Sequence, residues 1–459
     1  MINVLVDTNT LTSLRMNKKS SKTVADIQVT RQQLLEMLDE KLPKVPATIG
    51  YRMGLLVVGL SMLLMPLLYL GLLGALCFVV YWCWVFLSTY RGDNFPWLLA
   101  VAAFAAAVTI LFLIKPFFGR RAARNRPVRL KRDANLFLFE YVEKICDTVG
   151  APYPISIRVD CIANASAGLR YGLGSIFSND LVLTIGLPLA AGMNVRQFSG
   201  VLAHEFGHFS QGYGMRLNMI TMTINNWFIY AAYQRDAWDY RLEHWSKVLP
   251  FRLAILIWAL RACIWVSRKF LGAICLVGHA ISFYMLRQME FDADRYEIRL
   301  SGTKNFKKST ERLSLIGIGF QMAINDIEEL YNEERLPDNL PNFAVTSIPN
   351  IPSEFLEKMK KHQEEQQTAW HHTHPTDRER IAHAEKLDAE GSMRSDTGVD
   401  QLPASVLFHE FDKLCRASTT KFYEERLGTD FKKSCLRNTD ALIKERDQDY
   451  EAGKALDRY

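Results

Sequence analysis

The feature that most constrains this chain is a run of 38 residues, 53–90, without Asp, Glu, Lys or Arg. As one straight helix it would extend roughly 57 Å, whereas the hydrocarbon core of a bilayer is roughly 30 Å thick. The run therefore predicts either one long helix that projects from the bilayer or a tight hairpin around Pro66. A second uncharged run, 94–114, is long enough for one crossing. A buried core helix is a poor explanation of runs this long.

The basic residues beside these runs predict which side of the bilayer the remaining chain occupies. Residues 115–132 contain eight Lys/Arg and no acid, and residues 1–52 contain eight Lys/Arg against five acids. Positive flanks favour the cytoplasmic side, and two flanks on one side require an even number of crossings. We therefore expect two crossings, about 53–90 and 94–114, with the short loop 91–93 outside. The net charge of +6 comes largely from these flanks, so it does not indicate nucleic-acid binding.

Residues 204–208 carry the pattern H-E-x-x-H. Residues four apart on a helix lie on one face, roughly 5–6 Å between Cβ atoms, so His204 and His208 can share one metal ion. Glu205 lies on a neighbouring arc, close enough to act on a water at that metal. The surrounding residues are mostly apolar, which predicts a buried helix whose polar groups need partners. The alternative is a chance pattern in a structural helix.

Residues 289–297 offer the missing acidic ligand. Glu290 and Asp294 are four apart, so they lie on one helix face. Glu290 can coordinate the metal, and Asp294 can accept the spare ring N–H of a ligating His. The alternative is a solvated acidic face beside the neighbouring arginines, which we expect for Asp292 and Glu297.

The segment 370–380 is rich in histidine, and such tracts can be adventitious metal sites. We expect His371 and His372 to face solvent. His374 precedes Pro375, which favours an extended or turn conformation just ahead of a helix.

Taken in order, these segments resemble the membrane-bound zinc metallopeptidases typified by the HtpX heat-shock protease and the type-1 CAAX prenyl endopeptidase. The resemblance covers roughly residues 150–385. Its pieces are a stretch at 164–168 similar to N-A-x-A-x-G but one residue short, an apolar strand at 181–187, V-L-A-H-E-x-G-H at 201–208, E-x-x-A-D at 290–294 and H-P-x-x-x-E-R at 374–380.

The resemblance implies a gluzincin site with one zinc ion per chain, held by His204, His208 and Glu290. It assigns the general base to Glu205 and places His374 near the substrate oxyanion. Arg380 would be a structural tie. The fold expected is mainly α and integral to the membrane: transmembrane helices plus a zincin-like α+β catalytic domain, with a small sheet next to the H-E-x-x-H helix.

We expect four regions: an N-terminal cytoplasmic segment 1–52, a transmembrane region 53–114, a metallopeptidase domain 115–387 and a charged helical arm 388–459. In the arm, Phe408, Phe411 and Leu414 have helical spacing, which is typical of a packing face. Eight cysteines without C-x-x-C spacing indicate reduced thiols. The first 50 residues show no cleavable signal, so the first crossing would act as an uncleaved anchor.

The apolar stretch 251–286 is interrupted by Arg268 and Lys269, which predicts a hairpin of two segments of about 17 residues. The resembled family also places a hydrophobic segment here, so we expect a hairpin embedded in the membrane. If the hairpin crossed the membrane, its positively charged tip would conflict with the orientation rule. The alternatives are a hairpin at the membrane interface or a helical lid over the site. Residues 217–233 are a weaker apolar candidate, interrupted by Asn225 and Asn226.

The expected function is zinc-dependent cleavage of membrane-associated polypeptides, in quality control of membrane proteins. If strand 181–185 lies at a sheet edge, it could hold an extended peptide by main-chain pairing. The expected location is a bacterial cell membrane with the site facing the cytoplasm, or the endoplasmic reticulum membrane in a eukaryote. The alternatives are CAAX-type processing, or a scaffold in which His374 or Asp294 closes a structural zinc site.

Overall fold

The computed structural model describes residues 24–43, 49–92, 96–118, 127–175, 178, 180–210, 213–233, 237–248, 250–365, 375–428 and 431–456. The protein is mainly helical with a small sheet, as expected. Its α-helices are α1 (Val24–Glu36), α2 (Ile49–Thr89), α3 (Trp97–Phe118), α4 (Leu136–Val149), α5 (Leu187–Gly192), α6 (Val195–Ser210), α7 (Tyr213–Tyr233), α8 (Ala237–Val248), α9 (Phe251–Ser301), α10 (Thr303–Asn332), α11 (Leu340–Thr346), α12 (Ser353–Glu365), α13 (Asp377–Leu387), α14 (Phe411–Leu427) and α15 (Thr439–Leu456).

Helices α2 and α3 cover residues 53–89 and 97–114 of the two uncharged runs, and both are long and apolar enough to cross a membrane. Helix α2 continues through Pro66, so the hairpin alternative is wrong. A proline inside a helix removes one backbone hydrogen bond. In an apolar setting a reversal would leave several backbone groups unsatisfied, which costs more.

A four-stranded sheet lies beside α6, with β1 (Val128–Arg129), β2 (Ser156–Asp160), β3 (Ala165–Leu169) and β4 (Leu181–Gly186) in the order β1-β2-β4-β3. Strand β4 pairs in parallel with β2 and antiparallel with β3. The strand at 181–185 is therefore interior, and the edge strand next to it is β3. The peptide pairing considered for 181–185 required an edge strand, so that condition is not met. Five of the six residues of β4 are buried, which is typical of a strand covered on both faces.

The predicted hairpin within 251–286 is also wrong, because these residues belong to the single 51-residue helix α9. Arg268 and Lys269 carry charge but are good helix formers, and neither interrupts backbone hydrogen bonding. The two charged residues therefore mark a point where the groups around the helix change, and not a turn of the chain. Arg268 Nη2 donates to Asp239 Oδ2 of α8 at 2.8 Å.

The buried residues form separate clusters that position the site. One cluster joins α4, the sheet and α6. A second joins α2, α3, α7 and α9, and a third joins α10 and α11 to α14 in the C-terminal arm. The packing face predicted for the arm contacts the first cluster, with Phe408 buried and Phe411 and Leu414 partly buried. All eight cysteines lie in the described ranges and are free thiols.

Candidate metal centre

Helices α6 and α9 approach closely at the site because small residues line their contact. A Cβ atom added to Gly207 would lie 2.9 Å from Cδ2 of Tyr296 and 3.2 Å from Cα of Ala293. One heptad earlier, a Cβ at Gly200 would lie 3.2 Å from Cγ of Glu297. Such contacts are too short for most side chains, so glycine sets the distance between the two helices. On α6, Leu202, Ala203 and Phe206 are fully buried, as expected for a core helix.

This approach brings His204, His208 and Glu290 together. The Nε2 atoms of His204 and His208 lie 3.6 and 3.7 Å from the two carboxylate oxygens of Glu290. The imidazole rings are 4.9 Å apart and nearly perpendicular. The side chains are only 11, 15 and 12% exposed. Two nitrogens and one carboxylate therefore converge in a partly dehydrated space.

The donor set fits zinc. One atom from each of the three residues lies within 4.8 Å of the others. With zinc–ligand bonds of about 2.0–2.1 Å, two tetrahedral ligand atoms would be about 3.4 Å apart, close to the His–Glu separations observed. Three protein ligands of two His and one Glu also leave the fourth position that a catalytic zinc requires.

Asp294 lies one turn beyond Glu290 and contacts His204. Its Oδ1 lies 2.9 Å from Nδ1 of His204, the ring nitrogen that does not face Glu290. Arg380 of α13 holds the same carboxylate with two hydrogen bonds, of 2.9 Å from Nε and 2.5 Å from Nη2. Burial alone would raise the pKa of Asp294, but the Arg380 guanidinium lowers it well below its ordinary value. The ionised carboxylate therefore holds the His204 ring with Nε2 toward the site.

Glu205 lies beside the cluster rather than in it. Its Oε2 accepts a hydrogen bond of 3.1 Å from the backbone N–H of Ala167 in β3. Burial raises the pKa of Glu205, while the nearby His204 and this hydrogen bond lower it. The raised pKa suits a carboxylate that takes up a proton and gives it back during a reaction. The sequence pattern did not reveal that the sheet edge positions this group.

The solvated face predicted for Asp292 and Glu297 is wrong, because both are buried. Asp292 pairs with Arg295 at 3.4 Å on its own helix. Glu297 lies against Gly200 and close to His204 and Asp294. Its spacing of seven residues from Glu290 places it on the same helix face, and that signal could have identified it.

The histidines of the 370–380 segment, His371, His372 and His374, lie outside the described residues. Within this segment the described residues begin at Pro375. The Thr376 hydroxyl caps α13 by accepting a hydrogen bond of 3.3 Å from the backbone N–H of Glu379. This cap starts the helix that presents Arg380 to Asp294. Arg380 thus ties α13 to α9 beside the metal-site residues.

One comparison with known proteins identifies the chain. The model of peptidase family M48 matches residues 139–388, which include 204–208, 290–294 and Arg380. No curated protein and no solved structure matches the chain. The match covers 250 of the 459 residues, and the family is zinc-dependent. The chain therefore belongs to peptidase family M48, the family of HtpX and the CAAX prenyl protease.

Proposed function

We propose that this protein is a membrane-anchored, zinc-dependent metalloendopeptidase. The observation that carries the proposal is the convergence of His204 and His208 on Glu290, with Glu205 beside them. Helices α2 and α3 would form the anchor in region 53–114, and 115–387 would form the catalytic domain.

His204, His208 and Glu290 would hold one zinc ion, which supplies a Lewis acid for the scissile carbonyl and the attacking water. Glu205 accepts the proton that the water loses and donates it to the leaving amine nitrogen. Asp294 and Arg380 keep the His204 ring in place throughout. His374 stays a prediction for a group near the substrate oxyanion.

Strand β3 is the best candidate for holding the substrate. Asn164 and Arg170, at its two ends, exchange hydrogen bonds with the β4 side. Antiparallel pairing alternates, so the N–H and C=O groups of Ala165, Ala167 and Leu169 point away from β4. The Ala167 N–H already donates to Glu205, so the other groups of this edge would pair with a peptide. Among the described residues nothing lies within 4 Å of a Cβ placed on Gly168. An extended peptide could add to this edge beside Glu205 by main-chain hydrogen bonds.

The proposed role is quality control of membrane proteins, with the catalytic domain facing the cytoplasm. The support is the pair of candidate membrane helices, the basic flanks and the family. CAAX-type processing is the second candidate, because the same family contains the CAAX prenyl protease. Cleavage of an unprenylated membrane protein by the purified enzyme would favour the first role, and a strict need for a prenylated C-terminus would favour the second.

Glu205→Gln tests the mechanism. The substitution keeps the shape of the side chain but removes the proton acceptor, so cleavage of casein should fall about 10²- to 10⁴-fold while bound zinc is unchanged. Glu140→Gln, at an exposed position of α4, is the matched control and should cleave normally. Retained cleavage by Glu205→Gln would contradict the mechanism.

A zinc-containing scaffold without protease activity is the alternative from another class. A structural site would want a fourth protein ligand in place of water. One zinc per chain, together with casein cleavage that a chelator abolishes and zinc restores, would exclude the scaffold. Zinc without cleavage in the wild-type protein would favour it.

A further inference from the structure

Strand β3 carries the backbone group that holds the carboxylate of Glu205. The Ala167 N–H donates to Oε2 of Glu205 at 3.1 Å, and this is the hydrogen bond that the described residues provide to that carboxylate. A glutamate side chain has several rotatable bonds, so ordering it costs conformational entropy. A donor fixed in a strand therefore decides where the carboxylate lies.

The direction of this N–H places Glu205 beyond the edge of the sheet. Ala167 lies opposite Leu183 at a position where the two strands exchange no hydrogen bonds, so its N–H points away from β4 in the plane of the sheet. The carboxylate thus lies where the main chain of an added strand would run. A peptide on this edge passes Glu205 at the register of Ala167, so the bond that is cut lies opposite Ala167.

The edge offers pairing groups on both sides of that register. Ala165 and Leu169, two residues away in either direction, present their N–H and C=O groups on the same side as Ala167. A peptide paired with both would be held on either side of the bond that is cut. An endopeptidase needs chain on both sides of this bond, whereas an exopeptidase substrate ends close to it.

The middle of β3 has little support of its own. The strand lies at the edge of the order β1-β2-β4-β3, and it pairs only with β4. Backbone hydrogen bonds of 2.8 Å at Asn164 and 2.9 Å at Arg170 tie its two ends to β4. Between them Ala167 is partly exposed, and among the described residues nothing lies within 4 Å of a Cβ placed on Gly168. Few contacts favour local motion, here at the residue that holds Glu205.

Small side chains bring β3 close to α6, the helix that carries Glu205. Ala165 is buried in the cluster that joins the sheet to α6, and Ala167 packs against the same cluster. Each side chain is a single methyl group. A larger side chain at position 167 would move the strand, and its N–H, away from Glu205.

We propose that β3 couples substrate pairing to the catalytic base: a peptide bonded to Ala165 and Leu169 fixes the middle of the strand, and the Ala167 N–H then holds Glu205 in its working position. The proposal rests on the protease function proposed above. Ala167 is a positioning residue that acts through Glu205. Pairing at a distance from the cleaved bond therefore raises kcat as well as affinity.

Replacing single backbone amides by esters tests the coupling. An ester at residue 167 removes the N–H that holds Glu205 and keeps the methyl side chain. An ester at residue 169 is the matched control, because it removes an N–H that points the same way but lies away from Glu205. Each ester weakens the preceding carbonyl as an acceptor, and both of these carbonyls face β4, so the comparison isolates the lost N–H.

The two esters should separate kcat from KM. On fluorogenic peptides taken from the casein site that the wild type cleaves fastest, the ester at 167 should lower kcat about 10- to 100-fold with little change in KM. The ester at 169 should act mainly on KM, raising it about 2- to 10-fold through the loss of one hydrogen bond. Zinc content and melting temperature should match in both. Equal effects of the two esters on kcat would overturn the proposal.

Peptide length separates coupling from simple binding. In the wild type, extending the peptide until it reaches Ala165 and Leu169 should raise kcat several-fold and lower KM. With the ester at 167 the same extension should lower KM alone. Extension that changes only KM in the wild type, or a rise in kcat that survives in the ester, would overturn the coupling.

Hydrogen exchange tests the contact without catalysis. In the wild type the Ala167 amide should exchange about 10-fold more slowly than the Leu169 amide, as expected for one hydrogen bond, and in Glu205→Ala the two rates should become similar. Similar rates in a wild-type protein that cleaves casein would overturn the coupling alone. A protected Ala167 amide in a wild-type protein that cleaves no casein would overturn the protease function, and the coupling with it.

Discussion

Single residues set the geometry of the candidate metal centre, and Gly207 shows this most clearly. Within the H-E-x-x-H pattern it looks like a spacer, yet Tyr296 and the backbone of Ala293 occupy the space that a side chain would need. Its absence of a side chain lets α6 approach α9, and that approach brings the two histidines to Glu290.

Gly207→Ala should therefore separate the two helices. We expect a loss of about 1–3 kcal/mol in the free energy of unfolding, as for other overpacked positions, together with weaker zinc binding. Gly317→Ala on α10 is the matched control: among the described residues nothing lies within 4 Å of its Cβ position, so it should stabilise the helix by up to about 1 kcal/mol. Thermal unfolding in detergent measures both. Equal effects of the two substitutions would contradict the packing argument.

Glu297 gives a pH dependence with a defined sign. Burial raises its pKa from 4.5 to about 7. Between these values the folded protein keeps a proton that the unfolded chain has lost, so stability falls as pH rises through this window and stays reduced above pH 7.

Glu297→Gln should remove this penalty. In zinc-free protein we expect the variant to be more stable than wild type at pH 8, by up to about 3 kcal/mol, and to show little of that gain at pH 4.5. Melting temperatures at the two pH values measure the gap. A gap that does not change with pH would contradict the buried, protonated state of Glu297.

The chemistry of the site was more predictable than its surroundings. The four-residue spacings of His204/His208 and Glu290/Asp294 indicated shared helix faces, because helical periodicity is a local property. Burial of Glu297 and the hydrogen bond from Ala167 to Glu205 depend on which helix and strand lie opposite. Spacing along one element carries no information about the partner element.

At the scale of elements, charged residues gave a wrong prediction of a turn at a point where one helix passes between different neighbours. Arg268 and Lys269 suggested a turn, but Arg268 pairs with Asp239 of α8 and Lys269 lies over the Trp265 ring of α9, so α9 continues past both. The condition that strand 181–185 lies at the sheet edge was not met, because β3 covers it. Strand β3 is short and made of small residues, so it gives a weaker pattern than the apolar β4 that it covers.

The C-terminal arm packs against the helices of the candidate metal centre, although the family match ends at residue 388. Val195 N, at the start of α6, donates to Leu402 O, and Ala404 N donates to Met193 O, both at close hydrogen-bonding distance. Tyr423 of α14 is fully buried against α10 and α11. The arm therefore supports the helix that carries the histidines.

Tyr423→Ala tests this support. Removing a fully buried aromatic side chain should cost about 3–5 kcal/mol and lower the melting temperature of the whole domain. Phe355→Ala, at a position 50% exposed on α12, is the control and should have little effect. If Tyr423→Ala melted like the control, the arm would be independent of the domain.

At the scale of the whole molecule, one helix connects the proposed membrane region to the chemistry. The middle of helix α9, residues 271–285, packs in the apolar cluster with α2, α3 and α7, and its C-terminal part carries Glu290, Asp294 and Glu297 against α6. The apolar runs and the metal motifs were visible separately in the sequence. Their union in one helix was not, because Arg268 and Lys269 suggested that the chain turns between them.

The most direct test of the account is the zinc content of purified Glu290→Gln, compared with wild type and with Asp292→Asn. Asp292 lies two residues away on the same helix but pairs with Arg295 instead of facing the histidines. We predict one zinc per chain in wild type and Asp292→Asn, and a large loss in Glu290→Gln, because His204 and His208 alone leave the ion without its carboxylate ligand. Full zinc occupancy in Glu290→Gln would contradict the proposed metal centre.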